Sequence, residues 1–294
     1  MVTIMFVLPE DHGVAVVVGA TGHVGRHVVN GLARVGRQVR AVARQPESDR
    51  AGVVACPLDV RDADAFNAVL QRVDGIFLSL PPTLETAELA RIAGDIARAG
   101  ISTTVLLSSD LLAEYPGSIM AASHEREESV LSAALGESLV TLRPGVFMEN
   151  DAIEWSATIR ADCVVFTAFP DALQMPIAPV DIAAEAVAAL TSPGRGPRGP
   201  QRLLGPQWLN VRDRVAVLGD VLNRPITIRE VSAEHHRAVL ARLLPEPIAA
   251  QKVAMLDAAP RSIRDCPNLP LGEGRTPYSV WVAANTAAFG MGAT

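Results

Sequence analysis

Val14-Ala15-Val16-Val17-Val18-Gly19-Ala20-Thr21-Gly22-His23-Val24-Gly25 is the stretch on which the fold of this chain turns. Five apolar residues, four of them valine, run into a glycine without a polar break, as in a strand buried on both faces. Gly19 permits a sharp exit from that strand. Gly22 removes a side chain where a pyrophosphate must approach the backbone, and Gly25 lets the next helix pack closely. Helical spacing follows from His23, with Val24, Val28, Leu32 and Val35 on one side and Gly36 as the stop. The free N–H groups and positive dipole at the start of such a helix suit phosphate. Strand, glycine turn and helix in this order predict a Rossmann-type dinucleotide site built on Gly19, Thr21, Gly22, His23, Val24 and Gly25.

Outward from this stretch the pattern repeats. Strands are expected at Val39 to Ala43, Val53 to Cys56, Gly75 to Leu80, Thr103 to Ser108 and Leu139 to Leu142. Between them helices are expected at Asp62 to Arg72, Leu84 to Ala99 and His124 to Ala134. Such alternation needs right-handed crossovers, so the fold class is α/β, a doubly wound and mainly parallel sheet. The second half is less regular. It has an alanine-rich helix at Val180 to Leu190, a surface turn at Ser192 to Pro200, and a strand at Arg202 to Leu204. A helix around Val211 to Leu222, a strand at Ile226 to Val231, and helices near 234–244, 246–258 and 277–289 complete it. Open α/β sheets bind ligands beyond the carboxyl ends of their strands, and function is expected there.

The end of the second strand bears on the cofactor. An acid at that place holds the ribose 2′-hydroxyl of NAD, whereas an arginine suits a 2′-phosphate. Arg44 follows Ala43, and no acid comes before Glu47. NADP(H) is therefore expected over NAD(H). Asp59 is placed either to accept from the adenine amino group or to cap the helix near Asp62.

Composition removes several function classes. The 294 residues carry a net charge of −6 and no cluster of Lys and Arg, which argues against a nucleic-acid groove. No apolar run approaches the roughly 20 residues that span a bilayer, and the short apolar start from Met1 to Leu8 has no basic lead or cleavage site. Cys56, Cys163 and Cys266 are far apart and odd in number, as in a reduced cytoplasmic protein. His235-His236 has no third ligand nearby in sequence, so it is expected on a helix surface and no metal is expected. The expected partner is a small molecule, with no nucleic acid and no membrane, and the protein a monomer or homodimer.

Taken together, the motifs resemble the NmrA-like group of atypical short-chain dehydrogenases/reductases nearly end to end. Gly19 to Gly25 resembles its GxxGxxG turn, Leu58-Asp59-Val60 its adenine contact, and Val73 to Leu78 its fourth-strand entry. Leu142-Arg143-Pro144-Gly145-Val146-Phe147-Met148-Glu149-Asn150 is similar to the segment after its sixth strand. Pro179 to Ala183 resembles its "VDIA" helix start, and Trp281-Val282 with Ala288-Phe289 its closing helix. The resemblance implies a dinucleotide-binding domain over 1–150 and, over 151–294, a small α+β substrate part with some segments returning to the core. It also places Val60, Leu80, Pro81, Ser108, Pro144 and Phe147 among the cofactor contacts. The group contains NADPH-dependent quinone and other reductases, relatives that isomerise or cyclise small molecules, and NADP-binding regulators without turnover.

One departure concerns the catalytic pattern. Where short-chain dehydrogenases carry Tyr-x-x-x-Lys, this chain has Met120-Ala121-Ala122-Ser123-His124, and methionine transfers no proton. Tyr115 lies nearby at the wrong spacing from any lysine, and the sole lysine, Lys252, is far downstream. His124 stands where the lysine is expected and is a candidate proton donor. Ser108 and Ser109 end the fifth strand; either orients a substrate oxygen or caps the local loop. Asn150 presents its amide to nicotinamide or substrate, or braces the segment after Pro144. A wall from Val146 to Trp155, with the C-terminal helices, is expected to select a small carbonyl, enone or quinone substrate.

Overall fold

The strand at the head of the glycine turn becomes the centre of a sheet. A computed structural model describes residues 13–47, 50–192, 199–262 and 274–290. Strand β1 (Val14–Val18) leads to helix α1 (Gly25–Arg34), then β2 (Gln38–Ala43) and β3 (Val53–Pro57). Next come α2 (Ala63–Val69), β4 (Gly75–Leu78), α3 (Thr86–Ala99) and β5 (Thr103–Leu107). A short α4 (Leu111–Glu114), the long α5 (Ile119–Leu135) and β6 (Leu139–Pro144) follow. The remainder comprises α6 (Glu149–Asp162), β7 (Val164–Thr167), α7 (Pro179–Thr191), β8 (Pro200–Leu203) and α8 (Val211–Val221). It ends with β9 (Thr227–Glu230), α9 (Ala233–Leu240), α10 (Glu246–Ala258) and α11 (Tyr278–Ala284).

Seven strands form one sheet in the order β3-β2-β1-β4-β5-β6-β8, the doubly wound arrangement expected. β1 pairs in parallel with β2 on one side and β4 on the other, Val17 standing opposite Ala41 and Phe77. With neighbours on both edges and helices over both faces, Ala15, Val16 and Val17 lose all exposure, which is why this strand carries no alternation. The strand order reverses at β1, so its carboxyl end, where the glycine turn lies, is the topological switch point. β7 and β9 form a separate parallel pair.

Contacts group the chain into two units. The first contains residues up to Leu107, Arg126–Thr141 and Ala183–Pro200; the second contains Ser108–Glu125, Leu142–Ile182 and residues from Gln201 onward. In the first, α3 buries Leu89, Ile92, Ala93 and Ile96 among Val16, Ile76 and Leu78. In the second, α6, α8 and α11 pack through Trp155, Ile159, Val215, Leu218, Trp281 and Val282. Trp281 stacks on Tyr278 at 5.7 Å between ring centres and meets Phe289 edge-on at 6.2 Å. The closing motif of the sequence is thus a core element.

Several expectations change. α1 begins at Gly25 rather than His23, and Val35 is 48% exposed because the helix stops before the left-handed Gly36. α5 begins at Ile119 rather than His124, its first turn held where Ser118 Oγ accepts the Ala121 N–H. α6 and β7 are not in the sequence reading. α6 buries Glu149 and Asp151 along with Trp155 and Ile159, so no clean apolar stripe marks it. Cys56 and Cys163 are free thiols; Cys266 and most of the expected Ser192 to Pro200 turn lie outside the described residues.

Candidate functional site

The dinucleotide turn is built by backbone that only glycine allows. Gly19 has φ +77°, and a Cβ there would stand 2.9 Å from the Ser79 carbonyl oxygen. A Cβ at Gly25 would stand 2.1 Å from the Gly19 carbonyl oxygen, so α1 reaches the strand only through glycine. At Gly22 a Cβ would meet only that oxygen, at 3.1 Å, and otherwise enter open space. Thr21, Gly22 and His23 are exposed while Val24 and Gly25 are buried. Among the described residues the Thr21, His23, Val24 and Gly25 N–H groups have no acceptor, whereas Arg26 and His27 give theirs to the Gly22 and Val24 carbonyls at 3.2 and 2.9 Å. This is a cradle for an anion that a side chain at 22 would intrude upon, and it fits a dinucleotide pyrophosphate. Partial burial, with Arg26 adding to it, lowers the pKa of His23, which favours its neutral form beside the turn.

Around this turn, Arg44 leaves β2 exposed and makes no hydrogen bond or ion pair with any described residue. Asp59 Oδ1 accepts the Arg61 N–H at 2.9 Å, and the Arg61 guanidinium lies 3.6 Å from its carboxylate. The cap of α2 is Asp62, whose carboxylate accepts the Ala65 N–H at 3.0 Å, so the capping alternative for Asp59 does not hold. Val60 is buried in the core under α2 and α3. Leu80 and Pro81 are half-buried beyond β4, and the Pro81 carbonyl accepts the Leu84 N–H at 3.1 Å.

In the second unit, Ser108 is buried and donates its N–H to the Leu142 carbonyl at 2.8 Å. Ser109 Oγ accepts the Leu111 N–H at 3.3 Å, the local cap that was the alternative for this residue. His124 is half-buried within α5. Tyr115 donates its hydroxyl to the Met255 carbonyl at 3.2 Å and is held as a phenol by burial and by Glu114. Pro144 is buried with its carbonyl accepting the Asp110 N–H at 3.0 Å, and Phe147 bridges to Ile177.

A pocket in this unit is lined by Val146, Asn150, Asp151, Glu154, Trp155, Thr167, Gln174, Val211, Arg214, His236, Lys252 and Leu256. Of the three expected catalytic residues Asn150 lines it; His124 and Ser109 do not. The expected Val146 to Trp155 wall is present because Asn150, Asp151, Glu154 and Trp155 share one face of α6. Asp151 and Arg214 pair at 2.7 Å with side chains 3% and 4% exposed. Tyr278 donates to the second Asp151 oxygen at 2.7 Å, and Arg214 also reaches Gln174 at 3.1 Å and lies 5.0 Å from the Trp155 ring centre. Burial pushes the Asp151 carboxyl up, against the pull of Arg214 and the Tyr278 hydroxyl. Beside this group, Lys252 of α10 pairs with Glu154 of α6.

His236 corrects the surface expectation for the histidine pair. His235 is exposed, but His236, a helical step of about 100° further round, is 4% exposed and accepts the Ala168 N–H on Nδ1 at 3.4 Å. Burial holds it below the usual histidine range, and the acceptor role of Nδ1 assigns its proton to Nε2. Sequence reasoning missed Asp151, Glu154, Arg214, His236 and Lys252 as a group. The one available signal was that a chain with 26 Lys and Arg together contains a single lysine.

The model of a family described as NAD(P)H-binding matches residues 19–193, from the glycine turn to the end of α7. A (4-alkanoyl-5-oxo-2,5-dihydrofuran-3-yl)methyl phosphate reductase of Streptomyces griseus is 32% identical over 283 residues, 93% of this chain and 98% of that protein. The chain belongs to the NAD(P)H-binding family. Within it, the motifs from Gly19 to Phe289 are those of an NmrA-like atypical short-chain dehydrogenase/reductase. An NADPH-dependent quinone oxidoreductase of Escherichia coli, solved with NADPH, superposes with a TM-score of 0.71 at 20% identity, covering 93% of this chain and 99% of that one. A Citrobacter triphenylmethane reductase, solved with NADP(H), gives 0.70 at 21%, covering 92% and 99%. At these identities the likeness is one of fold. The family description, NAD(P)H-binding, fits the nicotinamide dinucleotide expected from the sequence. Among the described residues no helix is long and apolar enough to cross a membrane.

Proposed function

We propose that this protein is an NADPH-dependent reductase of small conjugated carbonyl compounds in the cytoplasm, with acyl-substituted unsaturated lactones as the first class to test. The observation that carries this reading is the end-to-end likeness to the Streptomyces griseus reductase, which spans both the cofactor turn and the pocket of the second unit. In a 4-alkanoyl-5-oxo-2,5-dihydrofuran the ring C=C is conjugated to two carbonyl groups. Hydride addition to its far carbon places charge on oxygen, where hydrogen-bond donors stabilise it. In this structure the pocket has room for about one water, and it is its lining chemistry that suits such a ligand. Val146, Trp155, Val211 and Leu256 supply apolar wall, and Asn150, Lys252 and His236 supply a few polar groups.

NADPH, when bound, supplies the hydride. Gly19, Gly22, Gly25 and the amino end of α1 are the residues to hold its pyrophosphate, and Arg44 its 2′-phosphate. The cofactor roles of Thr21, His23, Val24, Asp59, Val60, Leu80, Pro81, Ser108, Pro144 and Phe147 belong to the same proposal.

The absence of tyrosine at Met120 favours a second reading, an NADP-binding protein without turnover. One assay separates the two. Purified protein is given NADPH or NADH with a panel of acyl butenolides, simple enones and quinones, and the reduced cofactor absorbance is followed. The reductase reading expects consumption of NADPH, fastest with the acyl butenolides, and formation of the saturated product. Tight NADPH binding with no consumption across the panel overturns it and leaves the binding protein.

A further inference from the structure

The start of α1 is short of negative charge. A helix start is normally answered by an acid or by a capping side chain. Here the first turn holds no Asp or Glu, and Val24 at the cap position offers no side-chain acceptor. The Thr21, His23, Val24 and Gly25 N–H groups are without an acceptor among the described residues. Side chains add cations to these donors. Arg26 pairs with no described acid, and its side chain makes one hydrogen bond among the described residues, from Nε to His27 Nε2 at 3.5 Å. An Nε2 that accepts carries no proton, so His27 is neutral in this arrangement. His23, four residues earlier and exposed, stands in the glycine turn itself.

Both imidazoles sit in a field of one sign. Partial burial first, then Arg26, holds each below the usual histidine range, and Arg34 and His23 add to the effect at His27. Of the elements beside α1, β1 and β4 carry no titratable residue. β2 carries Arg40, which donates to the Val69 and Gln71 carbonyls, and it leads into Arg44. Arg50 donates to Asn30 of α1, and α7, whose Val187 approaches Gly31, carries Glu185. With all of these in place the balance lies on the neutral side. With a pyrophosphate on the free N–H groups, His23 faces negative charge instead, and an opposite charge within about 4–6 Å favours the protonated form.

We propose that His23 takes up one proton from solvent as the dinucleotide pyrophosphate seats, so that cofactor binding at this turn is proton-linked and tightens as pH falls through the neutral range. This regulation rests on the assignment of the dinucleotide to the glycine turn, and every group it uses belongs to the first unit. Above its midpoint in the complex, His23 is neutral with and without cofactor and adds nothing to affinity. Below its midpoint in the free protein it is charged in both states, and its contribution is complete. Between the two, affinity rises as pH falls, in total by about tenfold for each pH unit that separates the midpoints.

Six histidines are few enough to follow singly. In protein grown with ring-labelled histidine, the NMR signal lost in His23→Gln identifies His23; His23→Asn replaces that variant should it not fold. The pH titration of this signal is recorded for the free protein and for protein saturated with NADP+. The midpoint in the complex should lie at least about one pH unit above that of the free protein. An unmoved or lowered midpoint overturns the proposal, and an upward shift confined to another histidine overturns its assignment to His23. Calorimetry then gives the NADP+ Kd of the unaltered protein and of the variant. The 2′-phosphate itself titrates near about pH 6, but it does so for both proteins, so the ratio of their Kd values reports His23. From about pH 8 to about pH 5.5 the unaltered protein should gain about tenfold over the variant. A ratio that stays constant across this range overturns the proposal. Absence of NADP+ binding at every pH overturns the dinucleotide reading and the proton link with it, whereas binding with an unmoved His23 overturns the proton link alone.

Discussion

A single Cβ separates two roles within the glycine turn. At Gly25 it would lie 2.1 Å from the Gly19 carbonyl oxygen, inside any tolerable contact, so Gly25→Ala must move α1 off the strand. Such overpacking costs about 1–3 kcal/mol, and both the melting temperature and NADPH binding should fall. At Gly22 the clash is milder, 3.1 Å, and the rest of the side chain would point into the space left for the ligand. Gly22→Val should therefore keep the melting temperature while weakening NADPH at least about tenfold, or 1.4 kcal/mol, by calorimetry. Equal melting losses in the two variants would show that both glycines serve packing. Arg44 makes a third residue-scale case, exposed and engaged by no described residue. Arg44→Ala should weaken NADPH by about 1.5–3 kcal/mol, the scale of a charge-assisted hydrogen bond, and leave NADH unchanged. Equal losses for both cofactors would make Arg44 structural.

Among the elements, α6 shows how burial of charge hides a helix from its sequence. Its inner face joins Trp155 and Ile159 to Glu149 and Asp151, each acid answered by a partner from another helix: Trp281 Nε1 at 3.1 Å from Glu149, Arg214 and Tyr278 on Asp151. Removing one partner leaves the other charge buried. Arg214→Met should cost about 3–5 kcal/mol in urea denaturation, and Asp151→Asn added to it should recover part of the loss. A loss below about 1 kcal/mol would mean that water reaches the pair. The short α4 gives a pH prediction. Asp110, 1% exposed, accepts from Arg202 Nε and Nη2 at 2.6 and 2.5 Å, and Glu114 lies 3.3 Å from the same Nη2. Burial first, then Asp110, raises Glu114 to about 7 from 4.5, with Arg202 opposing. A raised carboxyl binds more protons folded than unfolded across that window, so its contribution to stability falls as pH rises from 4.5 to about 7 and is flat above. Urea midpoints across this range should lose that slope in Glu114→Gln. An unchanged slope would assign it to other groups.

Across the whole molecule, what was legible follows the range of the physics. The first half was legible because its signals are local: β1 needs two buried faces and so reads as unbroken valine, α1 reads by its period, and a backbone at φ +77° admits glycine and little else. Element ends moved by a few residues, as at Ile119, because caps such as Ser118 Oγ are settled by local hydrogen bonds that many sequences permit. The pocket was only partly legible. Its Val146 to Trp155 wall lies on one continuous stretch, but Asp151 meets Arg214 across 63 positions, Tyr278 across 127, and Lys252 meets Glu154 across 98. In sequence a charged residue looks the same whether water or a buried counter-charge will surround it, and solvated surface is the commoner fate. Thus the sequence by itself determined the parallel sheet, its switch point and the dinucleotide turn, since these rest on periodicity and backbone sterics within a few residues. Only the tertiary structure decided that His236 turns inward, that His124 and Ser109 stand outside the lining of the pocket, and that Lys252 stands within it. Those outcomes depend on which helices pack together and on the desolvation that makes their charges pair.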